Sequence, residues 1–186
     1  MLYEEIVNNL GDVLEENAGA QEKLEEYIGN LKLFYLNEGL PGSFADELDG
    51  RTYQLDENPM GIEYVHFDLN GDEGVLTYKN AQGVKTLGFG FGHNVFGKFP
   101  QEDYSDLIVT VPEPGNRYDC AASADWPEER KLRIKVQVID KYFGNMSMEF
   151  GFKGDEVGIL MMKTAEAFLD EYHGYANGRR VWTERP

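Results

Sequence analysis

Few residues in this chain have the types and spacing that chemistry requires. In the stretch GFGFGHNVFGKFP, Gly92, Gly97 and Lys98 stand at the spacing Gly-x-x-x-x-Gly-Lys, the pattern of a loop whose backbone amides cradle phosphates. That loop needs a strand before it, a helix after it, and a Ser or Thr behind the lysine to reach Mg²⁺. Phe99 and Pro100 follow instead, and Gln101-Glu102-Asp103 carry no apolar period that a helix could bury. The context argues against a nucleotide site. The run reads as a strand in which Leu87, Phe89 and Phe91 share one face and Gly88, Gly90 and Gly92 the other. Glycine on alternate strand positions marks a bend or the close approach of another backbone.

Asp68-Leu69-Asn70-Gly71-Asp72 opens like a calcium-binding loop of the EF-hand type. Glu73 takes the glycine position and Lys79 the position of the bidentate glutamate, so a hairpin turn is expected and no metal. Three histidines could supply a base or a ligand. His66 alternates with Val65 and Phe67 and points outward; His173 falls at the end of the last predicted helix. His93, beside the glycine-rich strand end, has the one unusual setting. Ser43, Ser105, Ser123 and Ser147 lie in no Gly-x-Ser-x-Gly elbow, and the acidic pairs are adjacent in sequence, as on a solvated surface. No catalytic residue and no cofactor is assigned, and the chain is expected not to be an enzyme.

One face invites a ligand. Tyr118, Cys120, Ala122, Ala124 and Trp126 share one face of a strand and are mostly small. Either they make room for Phe89, Phe91, Phe150 and Phe152 opposite, or they leave a pocket. A filled core is the simpler expectation. If a pocket exists, residue type nominates Phe91, His93, Trp126 and Tyr142 as its binding residues.

The elements that must hold these residues follow from periodicity. Leu2, Ile6, Leu10 and Val13, then Ala20, Leu24, Tyr27, Ile28 and Leu31, recur at helical spacing on either side of Asn17-Ala18-Gly19. Residues 1–32 are read as a helical extension and 33–49 as a connecting loop rich in turn formers. From Gly50 to Lys163 the pattern is of about eight strands with turns between them, and Thr164 opens a final helix ending at Gly174. The tail Asn177-Gly178-Arg179-Arg180 is expected to fray. The fold class is mainly β: a small antiparallel, lipocalin-like barrel over 50–186 with N-terminal helices and a C-terminal helix.

Composition bounds the partners. A chain of 186 residues with a net charge of −17 repels phosphate backbones and anionic lipid, so neither nucleic acid nor membrane is expected. Cys120 is the single cysteine, so an intrachain disulfide is excluded. If Met1 is the native start, the acidic opening, unlike a signal peptide, points to the cytoplasm.

The order of landmarks carries a resemblance. Leu31-Lys32-Leu33, a Gly/Pro linker, Gly50-Arg51-Thr52-Tyr53, Phe67 to Asp72, the Gly-Phe-Gly-Phe-Gly strand, Phe96 to Pro100 and Lys163 to Glu166 together resemble the C-terminal region of β-lactamase-related serine hydrolases, relatives of penicillin-binding proteins. That resemblance implies a noncatalytic accessory barrel that packs on a catalytic serine hydrolase domain. The family's Ser-x-x-Lys pair is absent here, so no catalytic residue carries over. Two further expectations stand beside it: a homodimer through the exposed N-terminal helices, and, as the alternative function, a free-standing lipocalin-like binder of a small apolar or aromatic ligand.

Overall fold

The computed structural model describes residues 17–39, 41–101, 118–140, 143–164 and 171–181. The chain forms two compact units, Met1–Phe34 and Tyr35–Pro186. The described part of the first is helix α1 (Ala18–Gly29), started by Asn17, whose side chain accepts a hydrogen bond from the Ala20 amide at 3.0 Å. Its apolar residues Leu24, Tyr27 and Ile28 are exposed.

The second unit begins with an extended segment, a six-residue helix α2 (Ser43–Leu48), and then strands: β1 (Arg51–Leu55), β2 (Tyr64–Asn70), β3 (Glu73–Asn80), β4 (Gly83–Phe91), β5 (Val95–Phe99), β6 (Tyr118–Glu128), β7 (Lys131–Ile139), β8 (Phe143–Lys153), β9 (Glu156–Lys163) and β10 (Gly174–Val181). The sheet order is β4-β3-β2-β1-β10-β9-β8-β7-β6-β5, and a further pairing of β4 with β6 closes the first nine into a barrel. All ladders are antiparallel except that closure, where Gly90 faces Ser123 and Phe91 faces Ala124 in parallel register. The fold class read from the sequence is therefore the observed one: mainly β, a closed lipocalin-like barrel with helices before it.

The turns explain why the chain meanders. Gly71 (φ 65°) and Gly83 (φ 107°) sit in the left-handed region that the β2–β3 and β3–β4 reversals need. The Asp68–Asp72 motif is thus a hairpin, with Asn70 opposite Glu73. Along β4 the glycines do permit a close approach. A Cβ on Gly90 would stand 2.7 Å from His93 Nε2 and 2.8 Å from its carbonyl oxygen, so the chain folds back onto β4 here before running out as β5.

Two expectations are corrected, and a third lies largely outside the described residues. The frayed tail is strand β10, which pairs with both β1 and β9 and is needed to close the barrel. The segment looks polar because Asn177 and Arg179 face outward, while Ala176 and Gly178 face in; a Cβ on Gly178 would meet the Gln54 carbonyl at 2.5 Å. The helix expected to open at Thr164 falls largely on Ala165 to Asp170, which lie outside the described residues; Thr164 itself donates with its amide and its hydroxyl to the Asn145 carbonyl, at 2.8 and 3.0 Å. Residues 43–48 are helix rather than loop.

The segment before α2 is strapped to the outer wall of β6. The Leu36 amide donates to Ser123 Oγ at 3.0 Å, the Glu38 amide to Asp125 Oδ2 at 3.1 Å, and the Trp126 amide to the Gly39 carbonyl at 3.3 Å. Gly39 has to be glycine, because a Cβ would collide with the Trp126 carbonyl oxygen. Asp125, fully buried under this strap, is held in a bidentate pair by Arg133 at 3.0 and 2.7 Å, and the same guanidinium reaches Glu38 at 2.7 Å. A buried carboxylate is tolerated only with such partners.

Candidate functional site

The inward positions of the strands converge on an aromatic interior. Alternation places Tyr53 on β1, Phe67 on β2, Phe89 and Phe91 on β4, Trp126 on β6, and Phe150 and Phe152 on β8 inside the barrel, each at most 7% exposed. The small residues of β6, Cys120, Ala122 and Ala124, are buried among them. Volume is conserved: small side chains on one wall accommodate rings from the others, the filled arrangement that the sequence favours.

Helix α2 closes one part of this interior. Phe44, Ala45 and Leu48 stand at one- and four-residue intervals on its buried face. The Phe44 ring packs 5.3 Å from Phe152 and 6.1 Å, edge-on, from Trp126. Trp126 in turn stacks on Phe91 at 6.5 Å, and Phe152 meets Tyr53 at 5.5 Å. From the other side the Arg130 guanidinium lies 4.4 Å and that of Arg51 5.7 Å from the Phe44 ring centre. Phe44 thus occupies a socket walled by aromatic rings and rimmed by two cations.

Two donors on the rings of this cluster are unused. Tyr53 Oη and Trp126 Nε1 are buried and have no hydrogen-bond partner, and at the rim Arg51 Nε is likewise buried without one. Leaving a buried donor unpaired costs about 1–3 kcal/mol, so each would gain from an acceptor brought in by a ligand.

A second interior cluster is fully paired. Tyr172 donates to Gln101 Oε1 at 3.1 Å, so the contact of 3.0 Å between Tyr78 and Tyr172 has Tyr78 as its donor. Burial, reinforced by the neighbouring phenol, raises Tyr78 well above 10.0, and burial pushes Tyr172 up to about 12. Burial and the charge of Asp119 likewise push the Cys120 thiol up to about 11. These groups are neutral near pH 7 and hold the interior together; none is tuned as an acid, base or nucleophile.

The nominated binding residues divide. Phe91 and Trp126 are brought together in the socket wall. His93 is not part of it: it lies on the turn between β4 and β5, half-exposed, with Nδ1 donating to the Phe91 carbonyl at 3.2 Å and Nε2 3.5 Å from Glu73. Tyr142 lies outside the described residues. The sequence reading placed Phe152 inside the barrel without nominating it as a binding residue, and missed Phe44 and Tyr53; the spacing of Phe44, Ala45 and Leu48 behind Gly42 was the available signal for the plugging helix. On the outer wall Thr52 Oγ1 lies 2.8 Å from His66 Nδ1, and His66 Nε2 3.1 Å from Asp68. Thr52 and His66 are direct cross-strand partners and line none of the three described cavities, so this chain fixes register on the wall. Among the described residues no group of three or more His, Cys, Asp or Glu could hold a metal, and no helix is long and apolar enough to cross a membrane.

The fold and the site define a closed antiparallel barrel with an aromatic interior. No family model matches the chain, and no curated protein matches it. Solved structures to which it is similar include a REP1-NXSQ fatty acid transporter (8% identity, 75% of this chain and 100% of that one, TM-score 0.48). A Schistosoma mansoni fatty acid binding protein in complex with arachidonic acid also matches, at 14% identity over 76% of this chain and 100% of that one, with a TM-score of 0.49. Human cRBP IV matches at 13% identity over 72% of this chain and 98% of that one, with a TM-score of 0.43. None of these is a β-lactamase-related hydrolase domain, and the resemblance to that family is corrected accordingly. The landmarks behind it have a plainer cause. Phe67 to Asp72 is a hairpin, the glycine-rich run is the strand at the closure, and Phe96 to Pro100 leads along and out of β5.

Proposed function

We propose that this protein binds a small apolar or aromatic molecule carrying a hydrogen-bond acceptor, held in the barrel interior in the socket that Phe44 fills. The observation that carries the reading is the pair of unpartnered buried donors, Tyr53 Oη and Trp126 Nε1, on the same ring cluster. A filled, purely structural core leaves no reason to keep two donors unpaired where phenylalanine would pack as well. Access comes from α2. Six residues long, with no side-chain cap at Gly42 and no basic residue in its last turn, it is held mainly by Phe44, Ala45 and Leu48. A ligand ring that takes the place of Phe44 keeps the aromatic contacts and adds an acceptor. Arg51 and Arg130 at the rim favour an acceptor of negative charge.

The test is a titration of the Trp182→Phe variant, in which Trp126 is the remaining tryptophan, with naphthalene-2-carboxylate. Saturable quenching of Trp126 is the expected result, and in Tyr53→Phe combined with Trp126→Phe retention of the compound, read by native mass spectrometry, is expected to be lost. No saturable change with this probe or with acyl and other aromatic acids would overturn the reading.

A further inference from the structure

The outer wall carries a groove with a different chemistry. Two described cavities, of about 770 and 270 Å³, share Asp49, Leu69 and Gly71 and so run into one another. The larger is floored by Val75, Gly88 and Val95. Val75 and Gly88 are cross-strand partners, and a Cβ on Gly88 would stand 3.4 Å from Val95 Cγ1, so the missing side chain makes the hollow. Val75 is 37% exposed there. The smaller cavity continues past Leu69 to Pro41 and Ala45.

Five carboxylates line this apolar floor, those of Asp46, Asp49, Asp68, Asp72 and Glu73, and no lysine or arginine lines either cavity. All five residues are exposed. They are strung along α2, the turn after it, β2 and the β2–β3 hairpin, and no three of them converge as ligands for one metal ion. A point cation would meet one or two of them; a chain with several cations would meet all.

We infer that this groove is a docking surface for a basic, extended peptide segment of another protein, with lysine or arginine side chains on the carboxylate rim and alternate apolar side chains on the Val75–Gly88–Val95 floor. Charge complementarity selects the occupant. A second copy of this chain is a poor one, because two chains of net charge −17 repel each other and several of the described cations are already paired within the chain. Lys79 pairs with Glu63, Lys131 with Glu149, Arg133 with Asp125 and Arg179 with Glu156, at 2.7, 3.2, 2.7 and 3.0 Å. The groove runs along the outside of the barrel, and its smaller end is lined by Ala45 and Phe91, which also border the interior socket.

The experiment uses the full chain and a dye-labelled peptide alternating lysine and valine, read by fluorescence anisotropy. Saturable binding is expected, weakening about tenfold between 50 and 200 mM salt as exposed charges are screened. Asp72→Lys combined with Glu73→Lys is expected to weaken it by a further factor of about ten or more, with the urea midpoint and naphthalene-2-carboxylate binding unchanged. Absence of binding overturns the inference. So does equal binding of a glutamate–valine peptide, indifference to the charge reversals, or displacement of the peptide by micromolar spermine, which would make a small polyamine the occupant.

Discussion

Replacing Phe44 by alanine separates a ligand socket from an ordinary core position. The ring is 1% exposed and touches Trp126, Phe152 and the Arg130 guanidinium. Truncating a buried phenylalanine costs about 3–5 kcal/mol, from lost transfer energy and the cavity left behind. Because α2 is short and its neighbours can settle, the lower end of that range is expected, about 3 kcal/mol in urea unfolding. The same change empties the socket. In the parent chain a ligand must first expel the ring, which forfeits about 2 kcal/mol of apolar burial, so the variant should bind naphthalene-2-carboxylate about 30-fold more tightly. At a hundredfold excess over its Kd the ligand should then return about 2.7 kcal/mol of stability to Phe44→Ala, nearly restoring it. Urea titrations with and without the compound, followed by circular dichroism, measure both quantities. A loss below about 1 kcal/mol would show that the ring is not packed as described. Equal ligand stabilisation of parent and variant would show that the compound binds elsewhere.

Three further outcomes follow from the same geometry. Arg133→Ala leaves the buried Asp125 carboxylate with only the Glu38 amide and should cost about 3–5 kcal/mol in urea unfolding, whereas Asp125→Asn with Arg133→Met should cost clearly less. A smaller loss for the single variant would mean that water reaches the carboxylate. In alkali the unfolded chain releases phenol protons from about 10 while Tyr172 holds its own to about 12 and Tyr78 also beyond its usual range. The unfolded state then binds fewer protons, so stability present below pH 10 should fall through the window up to about 12, and Tyr78→Phe with Tyr172→Phe should flatten the fall. A midpoint-against-pH curve of unchanged slope in the double variant would contradict this. Helix α1, with no buried residue, should exchange its amide protons far faster than β6 or β7, and strong protection in dilute solution would mean that a second copy covers Leu24, Tyr27 and Ile28.

Much of the wall was legible in the sequence. A strand alternates its side chains with period two, so Val65, Phe67 and Leu69, or Leu132, Ile134, Val136 and Val138, declare both strand and inward face without reference to any partner. Asn70-Gly71 declares its turn because the conformation it needs is one few residues adopt. Local order did not declare membership: the landmarks read as a β-lactamase-related region are, in the folded chain, a hairpin, the strand at the closure and the run along β5.

Other features belong to the tertiary structure. Strand β10 reads as polar because half its residues face solvent and the others include Ala176 and Gly178; the lack of a side chain at Gly178 has meaning only against Gln54 and Leu55 of the neighbouring strand. Phe44 reads as part of a loop until the barrel supplies the socket of Trp126 and Phe152. The two unpaired donors, and the five carboxylates along one groove, come from residues far apart in the chain. Sequence fixes what each residue can bury or donate; only closure of the barrel decides which residues meet, because contact between strands depends on register and order, which local periodicity does not contain.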